Sequence, residues 1–261
     1  MDLSLRPLSP LLAELIVSMQ KQEPAILQGF HTLVKTILLI DFNSLSQSGM
    51  KKIESIICRV NAAYTNLMLL HRQIKSPTKT PDTIRFHAFD KEYAWLSNFF
   101  PTLIFDAANK CIYPSVEHGY VSFKARNTEK YDPKTLTYIN HECTAKEAKA
   151  FGQELWQRVS EEDTNTALIE MTRLIQLKFM QNTSLQKLLM VTNICSLEEF
   201  TSDNFWGTGH GKCVSKDSNR LGKIIMHYRN TLILSASQDN QPAKPVPVKS
   251  TKSKKTPLIN T

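Results

Sequence analysis

The chain has 261 residues, with 32 Lys or Arg against 24 Asp or Glu, for a formal net charge of +8. This length suits one principal domain with appendages, and a domain of about 150 residues can bury enough surface to hold its own core. From Ala236 onward there are five Lys and one Asp, and residues 1–82 hold nine basic and six acidic residues, so the middle is near neutral. The overall charge therefore says little about what the middle binds, although a basic tail attracts nucleic acid non-specifically. The five cysteines (58, 111, 143, 195 and 213) are widely spaced and odd in number, which argues for a reduced intracellular chain without a disulfide framework. The start has no signal-peptide pattern. The most apolar run, Thr36 to Phe42, is far shorter than the about 20 residues a bilayer span requires. The expected location is cytoplasmic.

Residues 1–75 read as a helical N-terminal region. Its best segment runs from Met50 to Ile74, where Ile53, Ile57, Val60, Tyr64, Leu67 and Ile74 recur every three or four residues. That seam predicts either a homodimer through the N-terminal helices or a helix packed onto the main domain. Residues 76–82, with two prolines, read as a linker. Strands follow at 84–89, 103–105 and 111–113, then helices at 116–126, 144–158, 164–180, 183–191 and 218–233. Residues 83–234 thus form an α+β domain, predominantly helical, with a small antiparallel sheet. The Lys- and Pro-rich tail, 235–261, has few large apolar residues and is expected to be disordered.

Within the helix at 116–126, Glu117 and Lys124 are seven positions apart. At about 100° per residue they share one face, with Tyr120 and Val121 on the stripe between them. One acid and one base bracketing an apolar stripe suit a polar site in an apolar cleft. The plain alternative is a solvated pair beside a buried stripe. Ser115 suits the N-cap, and an ionised Glu117 in the first turn gains about 0.3–1 kcal/mol from the helix dipole.

Three separated motifs carry a family resemblance: Tyr93-x-Trp95-x-Ser97-Asn98-Phe99, Glu117-His118-x-Tyr120 with Lys124, and Trp206-Gly207-x-Gly209 ahead of Asn219-x-Leu221-Gly222. In order and spacing the chain resembles the YbiA-like family, also called NADAR, over about residues 84–234. The resemblance implies an N-glycosidase acting on a ribosyl C1–N bond. Its substrate would be an ADP-ribosylated guanine in nucleic acid or a ribosylamino-pyrimidine phosphate of riboflavin synthesis. It implies Glu117, Lys124 and Asp203 as catalytic residues. The implied binding face comprises Trp95, Ser97, Asn98, His118, Tyr120, Trp206, Gly207, Gly209 and Asn219. A non-catalytic module that binds NAD or ADP-ribose is the competing expectation.

The residue types fit such chemistry. A carboxylate at Glu117 can steady an oxocarbenium-like ribose or orient water. Lys124 can hold a phosphate as a cation or attack an opened ribose as a neutral amine. Asp203 can assist water or meet a ribose hydroxyl, and it equally suits a turn. The glycines after Trp206 expose backbone N–H groups to an anion. Of the aromatics Tyr93, Trp95, Phe99 and Trp206, at least two are expected to fill the core and the others to stack on a base. Ser97 and Asn98 offer short polar groups, and Asn219 can orient the loop. The histidines lack paired ligand spacing, so neither a metal nor a cofactor is expected. The chain has Val121-Ser122 where the family commonly has Gln-Ala, which bears on base preference and not on fold.

Overall fold

The computed structural model describes residues 36–37, 40–70, 81–88, 92–128, 132–155, 161–211 and 217–239. The N-terminal stretch up to Lys35, most of the linker, the Lys212–Lys216 segment and the tail from Asn240 lie outside the described residues. Helix α1 spans Gln47–Leu70 and strand β1 spans Thr83–Phe86. A single turn at Ala94–Leu96 precedes the β2–β3 hairpin, Ile104–Asp106 and Cys111–Tyr113. The helices α2 (Val116–Arg126), α3 (Pro133–Thr137), α4 (Ala145–Leu155), α5 (Glu161–Met180) and α6 (Thr183–Val191) come next. Strand β4 (Ser196–Glu199) and helix α7 (Arg220–Asp239) complete the described part.

Local chemistry explains most helix starts. Asp132 accepts from the Lys134 N–H at 3.1 Å with Pro133 in the first turn, and Asn182 accepts from the Leu185 N–H at 3.1 Å. Thr144 and Glu147 bond reciprocally: Glu147 accepts from the Thr144 N–H at 2.7 Å, and Thr144 accepts from the Glu147 N–H at 3.3 Å. The predicted helix at 116–126 is observed over those residues, and the one at 183–191 likewise.

The architecture is α+β, with two small sheets in place of the single one expected. β2 and β3 pair antiparallel, whereas β1 and β4 pair parallel in the register Ile84↔Leu197 and Phe86↔Glu199. β4 has one apolar residue, Leu197, and no alternation long enough to mark it as a strand. Its pairing with a segment more than a hundred residues away is a tertiary event.

Helix α5 is the centre of the main core. Met171, Leu174, Ile175 and Phe179 pack against Ile84, Phe86, Trp95, Tyr113, Tyr120, Leu197 and Ile225. Helix α2 lies close against it: a Cβ on Gly119 would meet Leu174 and Tyr113 side-chain carbons at 2.8 and 2.9 Å, so any larger residue would have to displace them. Asp106 at the end of β2 is fully buried and takes both guanidinium nitrogens of Arg173 at 3.0 and 2.7 Å, tying the hairpin to α5.

Helix α1 spends its seam within the chain. Ile53, Ile57 and Val60 are buried with Leu103, Phe105 and Ile112. The expected self-association through this seam finds its central apolar residues already covered by the chain's own hairpin. Buried Asn61 donates to the carbonyls of Leu103 at 2.8 Å and Gln181 at 3.0 Å, and accepts from the Leu103 N–H at 3.0 Å. Among the described residues no helix is long and apolar enough to cross a membrane.

Asn61→Leu keeps the volume and removes all three bonds, leaving buried backbone groups unpaired at about 1–3 kcal/mol each. Thermal unfolding should shift down by about 6 °C or more, with helical content retained in the folded state. An unchanged Tm would show that these three bonds contribute nothing to stability.

Candidate active site

Helix α2 is anchored at its first turn. The Ser115 hydroxyl accepts from the His118 N–H at 3.5 Å, and the Glu117 N–H donates to the Asn98 carbonyl at 3.1 Å. The loop carrying that carbonyl is held from beneath. Lys178 of α5, wholly buried, donates from Nζ to the carbonyls of Ser97 at 2.8 Å and Leu96 at 3.3 Å. Ser97 and Asn98 are thereby fixed against the start of α2.

These elements wall a cleft of ≈ 640 Å³. Glu117, Tyr120 and Lys124 enter it from α2, so the face shared in the sequence is shared in space. Ser97, Asn98 and Phe99 form a second wall, Lys146 and Lys149 of α4 a third, and Glu199 with the following loop through Asp203 to Trp206 a fourth. Trp206 meets Tyr120 edge-on, with ring centroids 5.4 Å apart, and Lys124 Nζ lies 4.8 Å from the Tyr120 centroid. Lys149 Nζ lies 5.7 Å from the Phe99 ring.

The cleft's charges are poorly hydrated, and burial dominates their proton affinities. Glu117 is 8% exposed. Desolvation pushes its carboxyl up to about 7 against the pull of Lys149 and then Lys124, with Asp203 adding to the rise. Desolvation likewise pushes Glu199 up to about 7 against Lys149, with Asp203 and Glu117 adding to the rise. Lys124 is lowered by burial, opposed by Glu117. The carboxylate expected to sit ionised at a helix N-terminus is therefore a group that exchanges its proton near neutrality. Here burial outweighs the dipole.

The loop after β4 is shaped by backbone bonds. The Asp203 carboxylate accepts from the Phe205 and Trp206 N–H groups, both at 2.8 Å, so this residue builds the turn as well as lining the cleft. At Gly207 a Cβ would meet Thr201 and the Glu199 carbonyl, and Gly209 has φ +60. Both glycines shape the loop that presents Trp206. Phe99 and Trp206 face the cleft, while Tyr93 and Trp95 fill the core, as expected of at least two of the four aromatics.

Five expected binding residues do not line the cleft: Gly207 and Gly209 only shape the loop, the Gly209 N–H being donated to the Asp203 carbonyl at 3.0 Å and not offered to an anion, and three more are placed elsewhere. Trp95 is fully buried in the core. Both ring nitrogens of His118 are engaged: Nδ1 with the Ser115 hydroxyl at 2.7 Å, and Nε2–H toward the Cys143 carbonyl at 3.1 Å. Its burial lowers its proton affinity and fits that neutral tautomer. Asn219 accepts from the Glu199 N–H at 3.0 Å and donates to the Leu197 carbonyl at 2.9 Å, so it fixes β4 from behind. The sequence reading missed Lys149, Lys146 and Glu199. The two lysines look like ordinary surface charges on α4. Glu199 carries one faint signal, since it falls two residues after buried Leu197 and so shares its strand face.

Stability should depend on pH in two windows. The raised carboxyls hold their protons longer when folded than when unfolded, so their contribution is present below about 4.5 and is lost as pH rises to about 7. Burial pushes Lys178 down to about 7 from 10.5, with Glu199 opposing. The unfolded chain then holds more protons above pH 7, and stability climbs with pH. The expected profile has its minimum near neutrality. In Lys178→Met the rise in Tm between pH 7 and 9 should shrink to the part that lowered Lys124 supplies, whereas an undiminished rise would place its origin outside Lys178.

The chain is 31% identical over 154 residues to a riboflavin biosynthesis protein of Vibrio vulnificus, a match covering 57% of this chain and 38% of that protein. It therefore spans well under half of that relative. It is 29% identical over 156 residues to N-glycosidase YbiA of Escherichia coli, covering 58% of this chain and 89% of that protein. The NMR structure of E. coli YbiA superposes with a TM-score of 0.51 at 23% identity, covering 66% of this chain and 98% of YbiA, which supports the fold. Residues 85–233 match the NADAR domain, and the chain belongs to the NADAR domain family.

Proposed function

We propose that the chain is an N-glycosidase that hydrolyses a ribosyl C1–N bond. The observation that carries this reading is Glu117, a buried carboxyl held near 7 in a cleft that also contains Lys124, Lys149 and the Tyr120–Trp206 aromatic wall. A group with such a proton affinity can take a proton from water at neutral pH and can balance a cationic ribose. The relatives' names, an N-glycosidase and a riboflavin biosynthesis protein, support the same class. Lys146 and Lys149 supply cations for a substrate phosphate, and Trp206 with Phe99 supplies apolar surface for the base. An ADP-ribosylated guanine and a ribosylamino-pyrimidine phosphate both have this combination of phosphate, ribose and heterocycle.

Incubation with a ribosylamino-pyrimidine phosphate, ADP-ribosylated DNA and NAD, followed by mass spectrometry, should show release of a free base from one of them. Glu117→Gln should lower kcat on the order of 10²-fold while changing substrate affinity little. Tight binding without release by the unaltered protein would instead mark a non-catalytic NAD or ADP-ribose module. For Lys124, an Arg substitution keeps a phosphate-holding cation and removes an amine nucleophile. A borohydride-trapped adduct that disappears in Lys124→Arg would assign the amine role; partial activity in that variant without an adduct assigns the cation.

A further inference from the structure

The cleft holds a second carboxyl that the reading above leaves without a task. Glu199 ends β4, on the strand face of core residue Leu197, whereas its neighbour Glu198 turns outward and pairs with Arg85 at 3.1 Å. Its backbone is fixed on both sides: the N–H donates to Asn219 at 3.0 Å, and the carbonyl accepts from Thr208 at 2.9 Å and Thr201 at 3.1 Å. The side chain is not used structurally. Among the described residues neither the Glu199 nor the Glu117 carboxyl makes a hydrogen bond or ion pair, yet both line the same cleft from different walls. A buried and a half-buried carboxyl that face one space without a side-chain partner point to a ligand between them.

We propose that Glu199 is a second catalytic residue of this site, the acid that protonates the departing base nitrogen while Glu117 accepts a proton from the attacking water. The assignment rests on the N-glycosidase reading above. The surrounding charges set the direction. Glu117 sits at a helix N-terminus and is drawn toward ionisation by two lysines, Lys149 and Lys124, against Asp203. Glu199 is drawn by Lys149 and Lys178 but faces two carboxyls, Asp203 and Glu117. Only Glu117 sits at a helix N-terminus, which favours its ionised form, so it takes the role of base and Glu199 that of acid, and the loss of one proton from the pair leaves the arrangement that hydrolysis requires. Water attacks C1, and its proton passes to the Glu117 carboxylate as the C1–O bond forms. The C1–N electron pair leaves with the nitrogen, which takes the Glu199 proton. The step ends with Glu117 protonated and Glu199 ionised, and exchange with solvent restores both. Lys149, acting on both carboxyls, offsets the single negative charge that the pair carries throughout.

The test is the pH dependence of kcat/KM between pH 5 and 9, on whichever of the three substrates the unaltered protein cleaves. The expected profile is a bell, rising as Glu117 ionises and falling as Glu199 ionises. Glu199→Gln should lose the alkaline limb and about 10²-fold at the optimum, and Glu117→Gln should lose the acidic limb. Glu198→Gln, outside the cleft, should keep both. The profile's shape is insensitive to the fraction of a variant that folds. A ¹³C-carboxyl NMR titration adds a readout independent of turnover: replacing Glu117 should lower the midpoint of Glu199, because a like charge has been removed. Independent midpoints, or a Glu199→Gln enzyme with the full bell and unaltered rate, overturn the assignment while the N-glycosidase reading stands. If the unaltered protein releases no base from any of the three substrates, the N-glycosidase reading fails and this assignment falls with it.

Discussion

The hydrogen bond from the Glu117 N–H to the Asn98 carbonyl fixes where helix α2 enters the core, and the site is built outward from that point. On one side it locks the Ser97–Asn98 loop, which Lys178 supports from below. On the other it sets the first turn of α2, whose next residues include Gly119 against Leu174 and Tyr120 against Trp206. A shift of this turn would move the carboxyl, the aromatic wall and the helix packing together. Backbone groups make the contact, so it tolerates side-chain exchange around it and still positions a charged group without consuming that group's own bonding capacity.

Leaving the carboxyls without partners has an energetic consequence. Burying an ionisable group without hydrogen bonds costs several kcal/mol unless it holds its neutral form. The domain meets that constraint by raising Glu117 and Glu199 toward neutrality and lowering Lys178 to meet them. Lys149 acts on both carboxyls and Lys124 on Glu117, and their positive potential opposes a further rise. The result is a cluster whose proton count responds to small changes, which stability alone would not favour and proton transfer requires. The stabilising contributions lie elsewhere, in the α5 core and in fully bonded polar contacts such as Asp106–Arg173 and Asn61.

Much of the fold is legible along the chain because its signals are local. Ser115 marks a helix start through its own side-chain bond, and the three-four spacing from Ile53 to Leu67 marks α1; the short α3 after Asp132 is not among the expected helices. What the α1 seam packs against is not local. The same periodicity serves a partner copy or the chain's own hairpin, and the hairpin residues Leu103, Phe105 and Ile112 cover it here. Strand β4 is hidden for a related reason. Its pairing with β1 is parallel and distant, and four residues with one apolar side chain carry no periodicity.

The site divides along the same line. The chain by itself determined that Glu117, Tyr120 and Lys124 share a face, because helix geometry alone places them there, and that the glycines after Trp206 form a tight loop. Only the tertiary structure decided that Lys149 and Glu199 join them, that Trp95 and His118 turn away, and that Asn219 fixes β4 from behind. Proton affinity belongs wholly to that second group. A sequence places a carboxylate at a helix N-terminus and so favours its ionised form, but the water removed from around it depends on packing among α2, α4, α5 and β4. Desolvation is a property of the assembled cleft, and it is the larger effect.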